Sequence, residues 1–141
     1  MVSLLDVNVL VALLVPEHEH HVRAVDWFVG DGIMNGWATC ALTELGVIRV
    51  CAQLPGGARL PDTTARALLV LTASSPGYVW WPDAASPVLM QEVRSAATGK
   101  QVTDRYLLGF ARRNGGQVAT FDRALAAFGG GDVVCLLPAH K

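Results

Sequence analysis

Few charges, few lysines and no close pair of cysteines mark this sequence, and each shortage narrows what the chain does. Charged residues make up 16% of the 141, and the formal net charge is −1. That balance supplies no global field to gather a polyanion. Of 11 basic residues only Lys100 and Lys141 are lysine, so the cationic chemistry is mostly guanidinium, the better fork for phosphate. Cys40, Cys51 and Cys135 are odd in number and widely spaced. They exclude a disulfide scaffold or zinc knuckle and predict reduced thiols in a cytoplasmic protein. No apolar run reaches the ~18 residues of a membrane span, and the start at Met1-Val2-Ser3 lacks the basic leader of a signal peptide. The glycines form neither a Walker nor a dinucleotide fingerprint, which weighs against a nucleotide-binding fold.

Apolar residues are plentiful, at 52%. A chain of this length and composition buries a real core and reads as one domain over 1–141. Strand patterns fall at 2–6, 34–38, 77–81, 117–120 and 132–136. Helical patterns fall at 8–14, 19–29, 41–53, 61–72, 87–97, 104–113 and 123–128. Pro16 ends the first helix, Gly30 and Gly32 follow the second, and Gly56-Gly57 helps to break the one at 41–53. Gly115-Gly116 stops the helix at 104–113. Strands alternating with helices predict an α/β fold with a mostly parallel central sheet flanked by helices.

Against this apolar background four acids stand out: Asp6, Glu44, Asp104 and Asp122. Each lies in or at the end of an apolar stretch, where a solvated surface charge is not expected. A carboxylate removed from water is costly unless it is paired or bound to metal. Carboxylates that converge repel unless a hard divalent cation lies between them. Sites in parallel sheets form beyond the carboxyl ends of strands. Asp6 and Asp122 close predicted strands; Asp104 and Glu44 fall near helix starts, where the helix dipole favours anions. Topology therefore allows all four to meet at one sheet edge around magnesium or manganese. Singly, Asp122 and Asp104 also suit helix capping, and Glu44 suits an exposed helix or an ion pair.

Other groups carry competing readings. Glu17-His18-Glu19-His20-His21 has the content of a metal cluster, but its place after Pro16 favours a solvated helix start. Arg112 and Arg113 suit phosphate contacts or a helix C-terminus, the second being favoured. Trp27, Trp80 and Trp81 suit base stacking or core packing, and their contexts favour the core.

Four segments taken together carry a resemblance: Leu4-Leu5-Asp6-Val7-Asn8-Val9-Leu10, Leu42-Thr43-Glu44-Leu45, Thr103-Asp104-Arg105-Tyr106-Leu107-Leu108, and Ala119-Thr120-Phe121-Asp122-Arg123. In their joint order they resemble a PIN domain, and specifically the toxin ribonuclease of a VapBC toxin–antitoxin pair. The likeness spans nearly the whole length, although 56–87 carries no diagnostic motif. It implies a metal-dependent endoribonuclease with Mg2+ or Mn2+ held by Asp6 and Asp104. Glu44 and Asp122 would complete the acidic pocket, with Asn8 and Thr120 as polar support. The expected partners are an RNA substrate, a small cognate antitoxin and a second copy of the chain in a homodimer, with no membrane.

Two other classes stay open. A phosphohydrolase or phospho-acceptor domain would use Asp6 as nucleophile, but Asn8 stands where its general acid belongs. A non-catalytic α/β interaction module would keep the acids only as caps.

Overall fold

Neighbouring side chains on the central strands point to opposite cores, and both cores are apolar. The computed structural model describes residues 1–55, 60–82 and 85–139. In chain order its elements are β1 (Ser3–Leu5), α1 (Val7–Leu14), α2 (His21–Trp27), α3 (Ile33–Asn35), β2 (Trp37–Thr39), α4 (Ala41–Ala52), α5 (Pro61–Ser74), β3 (Tyr78–Trp80), α6 (Gln91–Arg94), α7 (Gly99–Arg113), β4 (Gln117–Thr120), α8 (Arg123–Gly129) and β5 (Val133–Cys135). Among the described residues the sheet has five strands, all parallel, in the order β3-β2-β1-β4-β5. Leu5, Trp37 and Ala119 face one core with Val9 and Leu10 of α1, Val47 of α4 and Leu68 of α5. Leu4, Ala38 and Val118 face the other with Leu107, Leu108 and Phe110 of α7. The period of two along each strand, buried on both sides, explains why these strands read as apolar runs.

Close approach shapes two joints. A Cβ on Gly46 would meet Val7 Cγ2 at 2.5 Å, so α1 and α4 pack at a distance only glycine allows. Gly115, at φ +71°, turns the chain out of α7 as expected. The N–H of Gly116 donates to Ala111 O at 2.9 Å to close that end.

Several expected boundaries move. Gly30 and Gly32 do not end a helix: a π turn, Phe28–Gly32, carries the chain into α3, anchored by buried Phe28. The strand expected at 34–38 begins only at Trp37, because Gly36 (φ +91°) makes the entry turn. The helix expected at 87–97 splits into a 3-10 turn, Pro87–Leu89, and the short α6. The helix expected from 104 begins at Gly99, because Thr98 caps it by accepting from Gln101 N at 3.2 Å. Asp104 is therefore in the second turn of α7, and it caps nothing. Gly56 and Gly57 lie outside the described residues.

Trp81 is buried edge-on against Phe110, and Trp27 packs on the first core; Trp80 is 45% exposed. Cys40, Cys51 and Cys135 form no disulfide. Among the described residues no helix is long and apolar enough to cross a membrane.

Candidate acidic active site

Adjacent parallel strands bring two of the acids together. β1 and β4 pair with Leu5 opposite Ala119, so Asp6 and Thr120 emerge side by side. Asp6 is 6% exposed, and each oxygen of its carboxylate accepts one hydrogen bond. The N–H of Val7 donates to Oδ1 at 2.7 Å, and the Thr120 hydroxyl donates to Oδ2 at 2.7 Å. Asp122 follows two residues after Thr120. Its Oδ1 accepts from Ala124 N and Leu125 N at 2.8 and 3.1 Å, capping α8. Asp104 approaches from α7. Leu107, Leu108 and Ala111 lie three, four and seven residues on and are buried, so the same helical face directs Asp104 at the sheet.

The three aspartates feel one another. Burial and then the charges of Asp6 and Asp122 push Asp104 up to about 6, helped by a hydrogen bond to Asp122. Burial also raises Asp6, against the bonds from Thr120 and Val7 that favour its charged form. Asp122 goes the other way. Burial alone would raise it, but Lys100 and the capping amides outweigh burial and hold it below the ordinary carboxylate value. In the Asp104–Asp122 pair, Asp104 is thus the partner raised and Asp122 the partner lowered.

Lys100 is the cation of this cluster and was not foreseen. Its Nζ lies 2.8 Å from Asp122 Oδ2 and also senses Asp104 and Asp6. The signal was available in the sequence: Thr98-Gly99-Lys100-Gln101 has the spacing of a capped helix start. A helix beginning there puts Lys100 four residues before Asp104 on one face. Beside the pair, a cleft of about 170 Å³ is lined by Lys100, Asp104, Asp122 and Phe128. The Arg105 guanidinium sits 3.8 Å above the Phe128 ring.

Glu44 stands apart. It lies in the first turn of α4, beyond the end of β2, where Thr39 Oγ1 donates to its Oε2 at 3.4 Å. Thr39 also bonds the Tyr78 hydroxyl at 2.8 Å. Burial raises Glu44, against the Thr39 bond, and no aspartate contributes. Asn8 is a tie between α1 and the loop after β4. Its amide donates to Thr120 Oγ1 at 3.5 Å, and its Oδ1 accepts from Phe121 N at 3.4 Å.

The carboxylates gathered here are hard oxygen donors, the class that magnesium and manganese take. Among the described residues no three acidic, histidine or cysteine side chains are already set as metal ligands. The donors fit an ion that takes one or two carboxylates and keeps several waters. Among the described residues the histidines are engaged with other partners. His18 Nδ1 accepts from His20 N, His21 Nδ1 meets Ala12 O at 2.6 Å, and His20 stacks on Phe121. Arg112 pairs with Glu92 and Asp132 and donates to Gly129 O, which assigns it to packing rather than phosphate.

Comparison with known proteins bears on the family and the fold. Residues 3–131 match the PIN domain family. The chain is 38% identical over 138 residues to Ribonuclease VapC29 of Mycobacterium tuberculosis, covering 98% of each. It is 41% identical over 123 residues to Ribonuclease VapC38 of the same organism, covering 85% of this chain and 84% of that one. Among solved structures, FitAcB from Neisseria gonorrhoeae shares the fold, with a TM-score of 0.58 at 18% identity, over 96% of this chain and 98% of that chain.

Proposed function

The chain belongs to the PIN domain family, and we propose that it is a VapC-type toxin: a metal-dependent endoribonuclease that hydrolyses RNA phosphodiester bonds, with residues 1–141 acting as one domain. The observation that carries this reading is the meeting of Asp6, Asp104 and Asp122 beyond the ends of β1 and β4, where burial and mutual repulsion raise two of the three.

Asp6 and Asp104 would hold Mg2+ or Mn2+. When bound, such an ion lowers the pKa of a coordinated water and offsets charge on the phosphate. The chain's own residues do the positioning. Thr120 orients Asp6; Asn8 holds the loop that carries Asp122. Asp122 anchors Lys100, whose ammonium is placed to approach a phosphate oxygen. Glu44, one strand along, would act through water or a second ion. An ionised carboxylate has about four lone-pair sites, so Asp6 and Asp122 cap helices and still have acceptor capacity for this role.

The phosphohydrolase reading is weaker here, because Asn8 stands where its general acid belongs and is tied to Thr120 and Phe121. Partners are part of the proposal. Val9, Leu10, Val11 and Ala12 of α1 are buried in the core and offer no docking surface. Leu42 and Leu45 of α4 are exposed instead, and with Val102 and Tyr106 they line an apolar groove of about 470 Å³. Exposed apolar surface of this kind supports docking of a second copy and of a small antitoxin. A basic antitoxin side chain reaching the aspartates would mask the nuclease in the cytoplasm.

Purified protein should cleave RNA with Mg2+ or Mn2+ and stop on chelation. Asp6→Asn and Asp104→Asn should lose most activity with the fold intact. Full activity in Asp104→Asn sinks the nuclease reading. Co-expression with the adjacent short reading frame should give a complex and restore growth; persistent toxicity without a complex defeats the antitoxin part alone.

A further inference from the structure

We infer that the groove beside the acidic site, between α2 and the chain after β4 and β5, holds the single-stranded RNA that flanks the scissile phosphate. The inference rests on the ribonuclease reading. The groove is open and about 730 Å³ in volume. Its position is set by the same strand ends as the acids. Arg123 follows Asp122 directly, Leu137 follows β5, and His20 stacks on Phe121, the residue before Asp122, with ring centroids 4.7 Å apart and planes 28° from parallel.

Its chemistry suits a nucleic-acid strand. Arg23 is exposed, and no side-chain partner is recorded for it among the described residues. Arg123 gives one N–H to Pro138 O at 3.1 Å, which steadies the guanidinium and leaves its other donors available. Two forks beside a catalytic acid cluster match two phosphates of one strand better than they match the cluster itself. His20 stacks on buried Phe121, with the His18 ring 5.7 Å away and tilted by 48°, and its 30% exposed side chain lines the groove, where it offers a braced surface for a base. Glu19 and Asp26 stand on the same rim, and Glu19 lies 3.6 Å from His20 Nε2. They keep the groove from being a general anion trap and favour a ligand that adds stacking to charge. An acidic peptide would meet the same two carboxylates with no base to stack, so RNA is the favoured occupant.

The test is fluorescence anisotropy with a labelled short single-stranded RNA, using the full chain in an Asp104→Asn background so that the probe survives. Arg23→Ser and Arg123→Ser together should weaken binding about tenfold or more and lower the salt slope by ~1.4, the value for two phosphates on a single strand. Arg66→Ser, which removes a guanidinium paired with Asp62 on α5, is the charge control and should change little. His20→Ala should weaken binding several-fold, and His20→Phe should restore it. Arg23→Ser alone touches no recorded partner, so it guards against misfolding of the Arg123 variant. Equal affinity and slope in Arg23→Ser/Arg123→Ser and Arg66→Ser overturn the groove while leaving the nuclease reading intact. Loss of poly-glutamate binding with RNA binding unchanged also overturns it. A parent protein that neither binds nor cleaves RNA overturns both.

Discussion

Thr120 and Asp6 stand at the ends of neighbouring parallel strands, joined by a 2.7 Å hydrogen bond from the hydroxyl to Oδ2. The same hydroxyl oxygen accepts from Asp122 N at 3.0 Å, so one buried threonine sets two acids of the cluster. Thr120→Val should cost roughly 1–3 kcal/mol in urea denaturation by leaving both partners unmatched. It should also cut RNA cleavage, whereas Thr120→Ser should keep most of both. Equal stability in the valine variant would show that Asp6 is held by Val7 N–H alone.

The metal-free protein should lose stability as pH rises through the window set by Asp104. Its ordinary value is 3.8 and its folded value is about 6. Between these the native state binds more protons than the unfolded one, so stability falls with rising pH and the loss is complete above about 6. The effect is on the order of 1 kcal/mol, because water and salt screen a partly exposed site. Thermal melts with chelator from about pH 4 to about pH 7 should show the decline in the parent and not in Asp104→Asn.

Lys100 and a divalent ion should compete for the same negative field. Removing the ammonium in Lys100→Gln should tighten Mn2+ binding about fivefold, from ~1 kcal/mol of cation–cation repulsion in a wet site. It should also lower the melting temperature without metal, since Asp122 loses its partner. Titration calorimetry and a melt in chelator check the two arms. Weaker Mn2+ binding in the variant would mean that Lys100 organises the carboxylates rather than opposing the ion.

Glu44 and Asp104 should separate in metal affinity. Burial raises Glu44 with no contribution from the aspartates. Glu44→Gln should therefore keep Mn2+ affinity within about twofold, while Asp104→Asn should weaken it more than tenfold. Calorimetric titration of both variants decides this. Equal losses would show that the metal-bound protein draws the end of β2 toward that of β1.

Asp122 should report its cap. Asp122→Ala should destabilise by about 0.5–2 kcal/mol through α8, and Asp122→Asn by much less, because asparagine caps equally well. Chemical denaturation of the pair separates capping from charge. If both cost the same, the Lys100 pair is the larger contribution.

The α/β class, the apolar strands around Leu5 and Val118 and the four acids were readable in the linear chain. Burial on both sheet faces writes itself as unbroken apolar runs, and an acid interrupting such a run has nowhere neutral to hide. The start of α7 was misplaced because Gly99 masked a helix that Thr98 caps. That one error concealed Lys100. Which acids meet was decided by tertiary structure alone. Parallel register put Asp6 beside Thr120, and the packing of Leu107 and Leu108 aimed Asp104 at them, whereas Glu44 was left one strand away with Thr39 and Tyr78. Sequence determines which residues cannot be solvated cheaply, because that cost is local. Which of them repel, pair or share a proton depends on distances of a few ångströms between strands over a hundred residues apart in the chain, and only the packed sheet sets those.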